Sequence, residues 1–460
     1  MADTERLLGS EDCHAGDGVD PAAPTDRALR SRQVSFGAAS AGLGAAAVAA
    51  SADNPASWLD AGFFVVGMAS DITFNTSVLS VEYLRTQFGS NVLVIIGQAQ
   101  FWGSTLAMLA LFALGLQFPA LLVQNITGQS MYLLALMTYM AGVNILLLLC
   151  AVGTWRLSIG LLQVCMFMNG IATGASQGLG GRLSGFMTKF GSVPTAASAQ
   201  MSGVGFGIAF PTVLQLSLMP FNAPAPGIAV GSYFTALVGV VCGMVGLVLL
   251  SRTSSFRRID EAAHLVEEPF RNNYRNWATR RLHQVAPQSA VLVANFSTGV
   301  YLALLTTRLP AKGALPLPDQ LPTLLIGVTN ACDFLGRFLT LLCLQQESES
   351  KLKHALRRML VVLCAFAVRF CIAILCVAYG LNMWSADSNA FILSLYACGA
   401  VLGGTITVAT TQSAQTVCMR TSGPSMDQMS PLPCPLAGQI MFLACIFGCL
   451  IGTMLPYPTA

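Results

Sequence analysis

Residues 322–344 read PTLLIGVTNACDFLGRFLTLLCL, a stretch long and apolar enough to cross a bilayer. It contains two charged residues, Asp333 and Arg337, four positions apart. A charge at the centre of a membrane helix costs about 2.5–3.5 kcal/mol, so such residues usually face one another or a water-filled cavity. One helical turn places both on the same face, where they can pair and offer a polar ligand an acceptor beside a forked donor. The alternative is a salt bridge that only holds neighbouring helices together.

The whole chain shares this apolar character. Of its 460 residues, 54% are hydrophobic and 10% are charged, and the mean hydropathy is +0.64, as expected for a membrane protein with many spans. The net charge of +3 is too small to indicate a nucleic-acid partner. The fourteen cysteines form no CxxC pair and lie mostly in apolar segments, so neither a disulfide framework nor a metal site is predicted. No cofactor is predicted either.

Apolar runs of about 20 residues predict an all-α protein with eleven membrane helices. The polar stretch 252–286 divides them into six and five, which predicts two helical bundles, 57–251 and 287–460, joined by a cytoplasmic linker. Residues 1–56 are expected to form a disordered cytoplasmic tail. The predicted spans lie near 57–83, 91–117, 129–153, 157–180, 194–219, 226–251, 287–307, 322–344, 357–381, 389–416 and 435–456.

The distribution of basic residues predicts the orientation in the membrane. If the N-terminus is cytoplasmic, eighteen of the 24 Lys and Arg residues lie on the cytoplasmic side, as the positive-inside rule requires. We therefore expect a multi-pass integral membrane protein with a cytoplasmic N-terminus and an extracellular C-terminus. Without an organelle signal, the plasma membrane is the expected location.

Several motifs together indicate a family. The most specific is Asn330-Ala-Cys-Asp333-Phe-Leu-Gly336-Arg337-Phe-Leu-Thr340, with an Asp and a Gly-Arg pair at fixed spacing. With weaker matches in order along the chain, residues 57–458 resemble the equilibrative nucleoside transporters. The chain departs from the pattern of that family in two places, because the first span lacks its frequent Pro-Trp and carries Asp71, and Val204 replaces a Gln in the fifth span. The weaker matches are Phe74-Asn75, Gln177-Gly178, Met201-Ser202-Gly203-Val204-Gly205, Arg369-Phe370 and Ala437-Gly438.

This resemblance implies a fold similar to the major facilitator bundle, in a six-plus-five arrangement. It implies passage of nucleosides across the lipid bilayer by alternating access and facilitated diffusion, with adenosine and related purines, or nucleobases, as the small-molecule partner. It also implies that Asp333, Arg337 and Gln177 contact the ribose or the base. The sequence does not define an oligomeric state.

The chemistry of a nucleoside fits such side chains. Ribose hydroxyls can donate to a carboxylate and accept from a guanidinium, while the amides of Gln177 and Asn75 can read the edge of a base. Phe74 and Trp102 could stack on a flat ring. The alternatives are interhelical hydrogen bonds for the two amides and ordinary core packing for the two aromatic residues.

Two further charges lie in the interior of predicted spans. Arg369 needs a partner, and Asp333 or Asp71 is the natural candidate, which favours a structural or gating role over ligand contact. Asp71 is either ionised and paired or protonated through burial. In the second case the protein would be a proton-coupled nucleoside carrier.

Other function classes fit the sequence less well than transport of nucleosides. The run Gly174-Ala-Ser176-Gln-Gly178 matches the nucleophile elbow of serine hydrolases, but no strand is predicted before it, so no enzyme is expected. A major-facilitator carrier of another small polar solute remains an alternative. Eleven spans exclude a seven-helix receptor. Glycines at four-residue spacing, Gly170 and Gly174 in one span and Gly203 and Gly207 in the next, predict close helix packing.

Overall fold

The regular secondary structure in the described part of the chain is entirely helical. The computed structural model describes residues 56–89, 91–117, 126–190, 195–218, 225–253, 256, 285–306, 321–346, 352–381, 389–420 and 434–455. The predicted tail and most of the predicted linker lie outside these residues. The twelve helices in these ranges are α1 (Ala56–Leu79), α2 (Val81–Phe88), α3 (Val92–Gln117), α4 (Ile126–Ala151), α5 (Ile159–Phe190), α6 (Ala196–Leu218), α7 (Ala225–Ser251), α8 (Ala286–Leu305), α9 (Leu321–Gln346), α10 (Leu352–Gly380), α11 (Asn389–Arg420) and α12 (Cys434–Met454).

The eleven long helices coincide with the eleven predicted spans. Ten of them are apolar enough to cross a membrane by length and composition. The exception is α6, whose buried polar residues, including Gln200, Ser202 and Gln215, lower its hydropathy. This helix packs against α1 and α9, so most of its surface meets protein. The first predicted span, 57–83, is too long, because the helix ends at Leu79 and the short helix α2 follows it.

The long helices form two groups. Helices α1 and α3–α7 pack on one another, and helices α8–α12 form a second group. The two bundles meet where α12 packs on α5 and α3, and where α6 packs on α9 and α11. A shared apolar core lies at this interface and includes Met108 and Met201 from the first bundle with Leu292 and Met441 from the second.

Glycines allow the helices within the first bundle to approach closely, as their spacing predicts. A Cβ at Gly203 of α6 would overlap the main-chain oxygen of Phe64 in α1. A Cβ at Gly174 of α5 would likewise overlap the main-chain oxygen of Ser104 in α3. Both contacts are backbone against backbone, so neither helix can yield locally. The run 174–178 lies inside α5 and has no strand before it, which leaves no nucleophile elbow there.

Candidate functional site

A cavity of about 220 Å³ lies between the two bundles. Helices α1, α3, α5 and α6 line it on one side, and every helix of the second bundle lines it on the other. The lining includes four charged side chains from the interior of predicted spans, namely Asp71, Asp333, Arg337 and Arg369. Such residues are expensive in a bilayer, and their convergence on one space marks it as the candidate site.

The cavity extends toward one end of the described helices, which we term the cavity end. Its lining includes Val78 near the end of α1, Leu93 at the start of α3 and Leu304 at the end of α8. At the opposite end, which we term the closed end, the bundles touch. There Ser198 of α6 donates a hydrogen bond of 2.8 Å to Gln412 Oε1 of α11. The cavity therefore lies nearer one end of the bundles, although α6 and α9 also contact each other toward that end.

Asp333 and Arg337 form the predicted pair on α9. Arg337 Nε donates to Asp333 Oδ2 over 2.7 Å. The Arg337 residue is 2% exposed, and its Nη1 also donates to the main-chain oxygen of Met201 in α6 over 2.9 Å. Gly205 gives this side chain its room, because a Cβ there would lie 2.6 Å from Arg337 Cδ. Phe296 of α8 lies beside the guanidinium, with its ring centroid 5.7 Å from Arg337 Cζ.

Gly336, in the same motif, lies on a different face of α9 and allows close packing against α11. A Cβ at Gly336 would overlap the main-chain oxygen of Val401, and one at Gly404 of α11 would overlap that of Asp333. Helix α9 therefore lies directly against α11 while its acid and its base face the cavity. The motif combines a packing surface and a polar surface on one helix.

A polar strip on α3 and α5 lines the cavity from the first bundle. Gln177 is 6% exposed, and its amide makes no hydrogen bond to any residue that the structure describes. One turn earlier, Thr173 accepts a hydrogen bond of 3.2 Å from Gln100 Nε2, and Gln100 Oε1 accepts one of 3.0 Å from Asn169. Gln177 is thus held in the wall with its amide free for a ligand, while Gln100 is locked by its neighbours.

Sequence reasoning missed Gln100 as a lining residue. The signal was present, because Gly97, Gln100 and Ser104 recur at helical spacing within an otherwise apolar run and all three line the cavity. Asn295 and Asn330 were also missed as lining residues. Asn330 donates a 3.0 Å hydrogen bond to Thr212 Oγ1 of α6, across the bundle interface.

The first helix contributes the predicted residues Asp71, Phe74 and Asn75 to the cavity wall. Asn75 Nδ2 donates 3.0 Å to Asp71 Oδ2 and 2.9 Å to the main-chain oxygen of Asp71. The partner of Asp71 is therefore an amide on its own helix. Phe74 makes an edge-to-face contact with Phe101 of α3, with ring centroids 5.1 Å apart.

The structure does not place Trp102 at the site. Its residue is 45% exposed on the outer surface of α3, and it is not among the cavity-lining residues. Its neighbour Phe101 lines the cavity instead. Consecutive residues of a helix point about 100° apart, so a face carrying Gln100, Phe101 and Ser104 turns Trp102 outward. The prediction for Trp102 is therefore corrected. Among the described residues, the aromatic side chains that line the cavity are Phe74, Phe101, Phe296 and Phe442.

Arg369 reaches the cavity from α10. It is 6% exposed, and its Nη1 donates a hydrogen bond to Asn295 Oδ1 of α8. Arg369 forms no ion pair with a carboxylate in the part of the chain that the structure describes. Asp333, one of its two expected partners, pairs with Arg337 instead. The guanidinium of Arg369 is therefore buried against a neutral acceptor.

Comparisons with known proteins agree with this architecture. The chain is similar to a mutant form of the E. coli fucose:proton symporter FucP, with a TM-score of 0.54 and 12% identity over 87% of this chain and 95% of that one. It is also similar to the E. coli proton:xylose symporter XylE bound to 6-bromo-6-deoxy-D-glucose, with a TM-score of 0.55 and 10% identity over 86% and 87% of the two chains. A mutant of the nucleoside transporter NupG matches at a TM-score of 0.49 and 12% identity over 86% and 90%, which is too low to carry an argument.

No protein-family model matches the sequence, and no curated protein matches it either. At such low identity the structural likeness defines the fold alone. The chain is a polytopic, all-helical membrane protein with the fold of the major facilitator superfamily. The two structures named above with a TM-score over 0.5, FucP and XylE, are proton symporters of fucose and of xylose.

Proposed function

We propose that the protein is a nucleoside transporter that moves adenosine and related purine nucleosides by alternating access and facilitated diffusion. The observation that carries the proposal is the Asp333–Arg337 pair, which lines a small cavity between two helical bundles. The resemblance of its motif to the equilibrative nucleoside transporters supplies the solute class. The fold supplies the alternating access, because two bundles around a midplane site can rock about it.

The Asp333–Arg337 ion pair leaves polar atoms of both side chains available to bind a ligand. Its single contact joins Nε to Oδ2, so Asp333 Oδ1 and Arg337 Nη2 make no hydrogen bond to any described residue. A vicinal diol can donate one hydroxyl proton to the carboxylate oxygen and accept from the guanidinium. This arrangement suits a ribose that has left its water behind. Gln177, with its amide unengaged, offers a donor and an acceptor to the base.

The balance of charge in the cavity favours a neutral solute. Two carboxylates and two guanidiniums line it, so their formal charges cancel when all four are ionised. An anionic nucleotide or a cation would add an uncompensated charge to a space of low dielectric, which is costly. The volume of about 220 Å³ lies below the roughly 300–1,000 Å³ typical of drug-sized pockets, as expected for one small solute.

The orientation of the chain then assigns a state to the structure. If the N-terminus is cytoplasmic, α1 runs outward and the cavity end faces the outside. The structure is then an outward-facing state, and the contact between Ser198 and Gln412 belongs to the cytoplasmic side. We also propose the plasma membrane as its location, as expected from the sequence.

Uptake of radiolabelled adenosine into proteoliposomes containing the purified protein tests this function. We expect saturable uptake that reaches the equilibrium level and is inhibited by unlabelled inosine but not by AMP. Empty liposomes are the control. Absence of saturable adenosine uptake from a preparation that does transport another solute would contradict the proposal.

Two alternatives remain with specific support. Asp71 lines the cavity, and its hydrogen-bond partner Asn75 is a neutral amide. Because no cation among the described residues pairs with it there, Asp71 could bind a proton, which supports a proton-coupled nucleoside carrier. The fold similarity to FucP and XylE supports a carrier of another small polar solute, such as a sugar. Competition of adenosine uptake by fucose and xylose distinguishes the second alternative, because a sugar carrier would bind these solutes in preference to adenosine.

A further inference from the structure

Helix α10 is peripheral, yet one of its side chains reaches the cavity. The helix packs mainly on α11 and α8 and exposes a row of apolar residues on its other faces, among them Leu360, Val361, Val368, Phe370 and Ile374. Among the residues of α10 whose side chains the structure describes, Arg369 is the one that lines the cavity. Its side chain must therefore pass between α8 and α11 to arrive there.

Two glycines form the slot through which it passes. A Cβ at Gly403 of α11 would overlap Arg369 Nη1, and a Cβ at Gly299 of α8 would lie 2.9 Å from Arg369 Nη2. Any larger residue at Gly403 would displace the guanidinium. Since Gly299 also lines the cavity, the slot ends where a solute would bind.

Asn295 fixes the direction of the guanidinium. Its Nδ2 donates 3.1 Å to the main-chain oxygen of Gly403 and 3.1 Å to Thr407 Oγ1, which turns its Oδ1 toward Arg369. Arg369 Nη1 donates to that oxygen. The amide oxygen of Asn295 accepts a hydrogen bond but carries no negative charge. It therefore orients the guanidinium of Arg369 without neutralising its positive charge.

Arg369 retains unused donors. Its Nε is buried without a hydrogen-bond partner, and Nη2 makes no hydrogen bond to the residues that the structure describes. A buried cation with spare donors beside a cavity is expected to be satisfied by what occupies the cavity. A purely structural arginine would instead be expected to use most of its five N–H groups within the protein.

We propose that Arg369 is a substrate-contacting residue, whose Nη2 edge donates a hydrogen bond to an acceptor oxygen of the solute from the second bundle. The inference rests on the proposed nucleoside function and deepens it, because it gives the site a second guanidinium beside Arg337. The oxygen is a ribose oxygen or the 6-oxo group of a purine.

The proposed contact between Arg369 and the solute is tested by combining a variant of Arg369 with analogues of adenosine that lack single oxygen atoms. Inhibition constants against adenosine uptake are measured for adenosine, its 2′-deoxy, 3′-deoxy and 5′-deoxy analogues, and inosine, in the original chain and in Arg369→Lys. Lysine keeps the charge but loses the planar fork. For one member of the series, we expect an affinity ratio of about tenfold in the original chain to fall to less than about threefold in the variant. Arg85→Lys, at an exposed position of α2, should leave every ratio unchanged.

A ratio within one variant does not depend on how much protein folds, so poor expression does not obscure the result. Gly403→Ala, which fills the slot, should abolish the same ratio, whereas Gly231→Ala, where a Cβ meets open space, should preserve it. Unchanged ratios for all analogues in Arg369→Lys would overturn the inference and leave Arg369 structural. Failure of the original chain to bind any nucleoside would overturn the proposed function together with this inference.

Discussion

Arg337 of α9 donates through Nη1 to the main-chain oxygen of Met201 in α6, so the guanidinium that pairs with Asp333 also bridges the two bundles. In the proposed transport cycle, rocking of one bundle against the other would stretch or break this bond, because its partners belong to different bundles. A ligand that takes over donors of Arg337 acts on the same group. If Arg337 binds the ligand as proposed, binding and bundle movement would depend on the same side chain.

Substitution of Arg337 by Lys should reduce nucleoside uptake at least about tenfold while surface expression survives. A lysine ammonium can keep the charge pair with Asp333, but it cannot also reach Met201 and a ribose in the geometry of a planar fork. Uptake and surface biotinylation measured on the same cells separate the two effects. Arg85→Lys serves as the matched control, and normal uptake in Arg337→Lys would show that the pair is only a structural salt bridge.

Substitution of Gln177 by Ala should change the ranking among nucleosides more than it changes total uptake. In the proposed site the amide of Gln177, which lines the cavity, would bind the edge of a base, whereas the proposed ribose contacts on α9 would remain. Competition of adenosine uptake by inosine, guanosine, uridine and cytidine gives the ranking. Gln98→Ala, at an exposed position on α3, should leave it unchanged. An identical ranking in Gln177→Ala would remove this residue from the ligand site.

Asp71 is the proposed proton carrier in the proton-coupled alternative to facilitated diffusion. For facilitated diffusion, uptake into proteoliposomes should never exceed the equilibrium level, whatever pH gradient is imposed. Coupling would instead drive accumulation above equilibrium when the outside is acidic, and Asp71→Asn would remove that accumulation while exchange of nucleosides persists. Accumulation driven by an acidic exterior would therefore contradict the facilitated mechanism and establish the alternative.

Cys449 offers a test of which side the cavity faces. It lies on α12, is partly exposed and lines the cavity. A charged, membrane-impermeant thiol reagent added outside intact cells should therefore inhibit uptake, and excess adenosine should protect against it. Cys449→Ala should be insensitive, whereas Cys371→Ala, at an exposed position of the peripheral helix α10, should remain sensitive. Inhibition only from the cytoplasmic side of inverted vesicles would reverse the proposed orientation.

The sequence predicts most of the architecture and part of the site. Long apolar runs predict the helices because a bilayer requires about 20 such residues, and the i, i+4 spacing predicts the Asp333–Arg337 pair because one turn of helix suffices to join them. The inward face of α3 was missed, although the helical spacing of Gly97, Gln100 and Ser104 marks it and turns Trp102 outward. The partner of Arg369 was not predictable either. Asn295 is distant in sequence and becomes a neighbour only when α8, α10 and α11 pack.

Because Arg369 reaches the cavity through the slot between Gly299 and Gly403, the position of its guanidinium would depend on the tilt of α10 in the bilayer. Most of the described side chains of α10 are at least partly exposed, as expected for a helix that faces lipid, but the side chain of Arg369 ends at the cavity between the bundles. A helix adapts to bilayer thickness by tilting. Any tilt of α10 would move the guanidinium along the narrow passage between Gly299 and Gly403, so hydrophobic mismatch at the periphery would be transmitted to solute affinity.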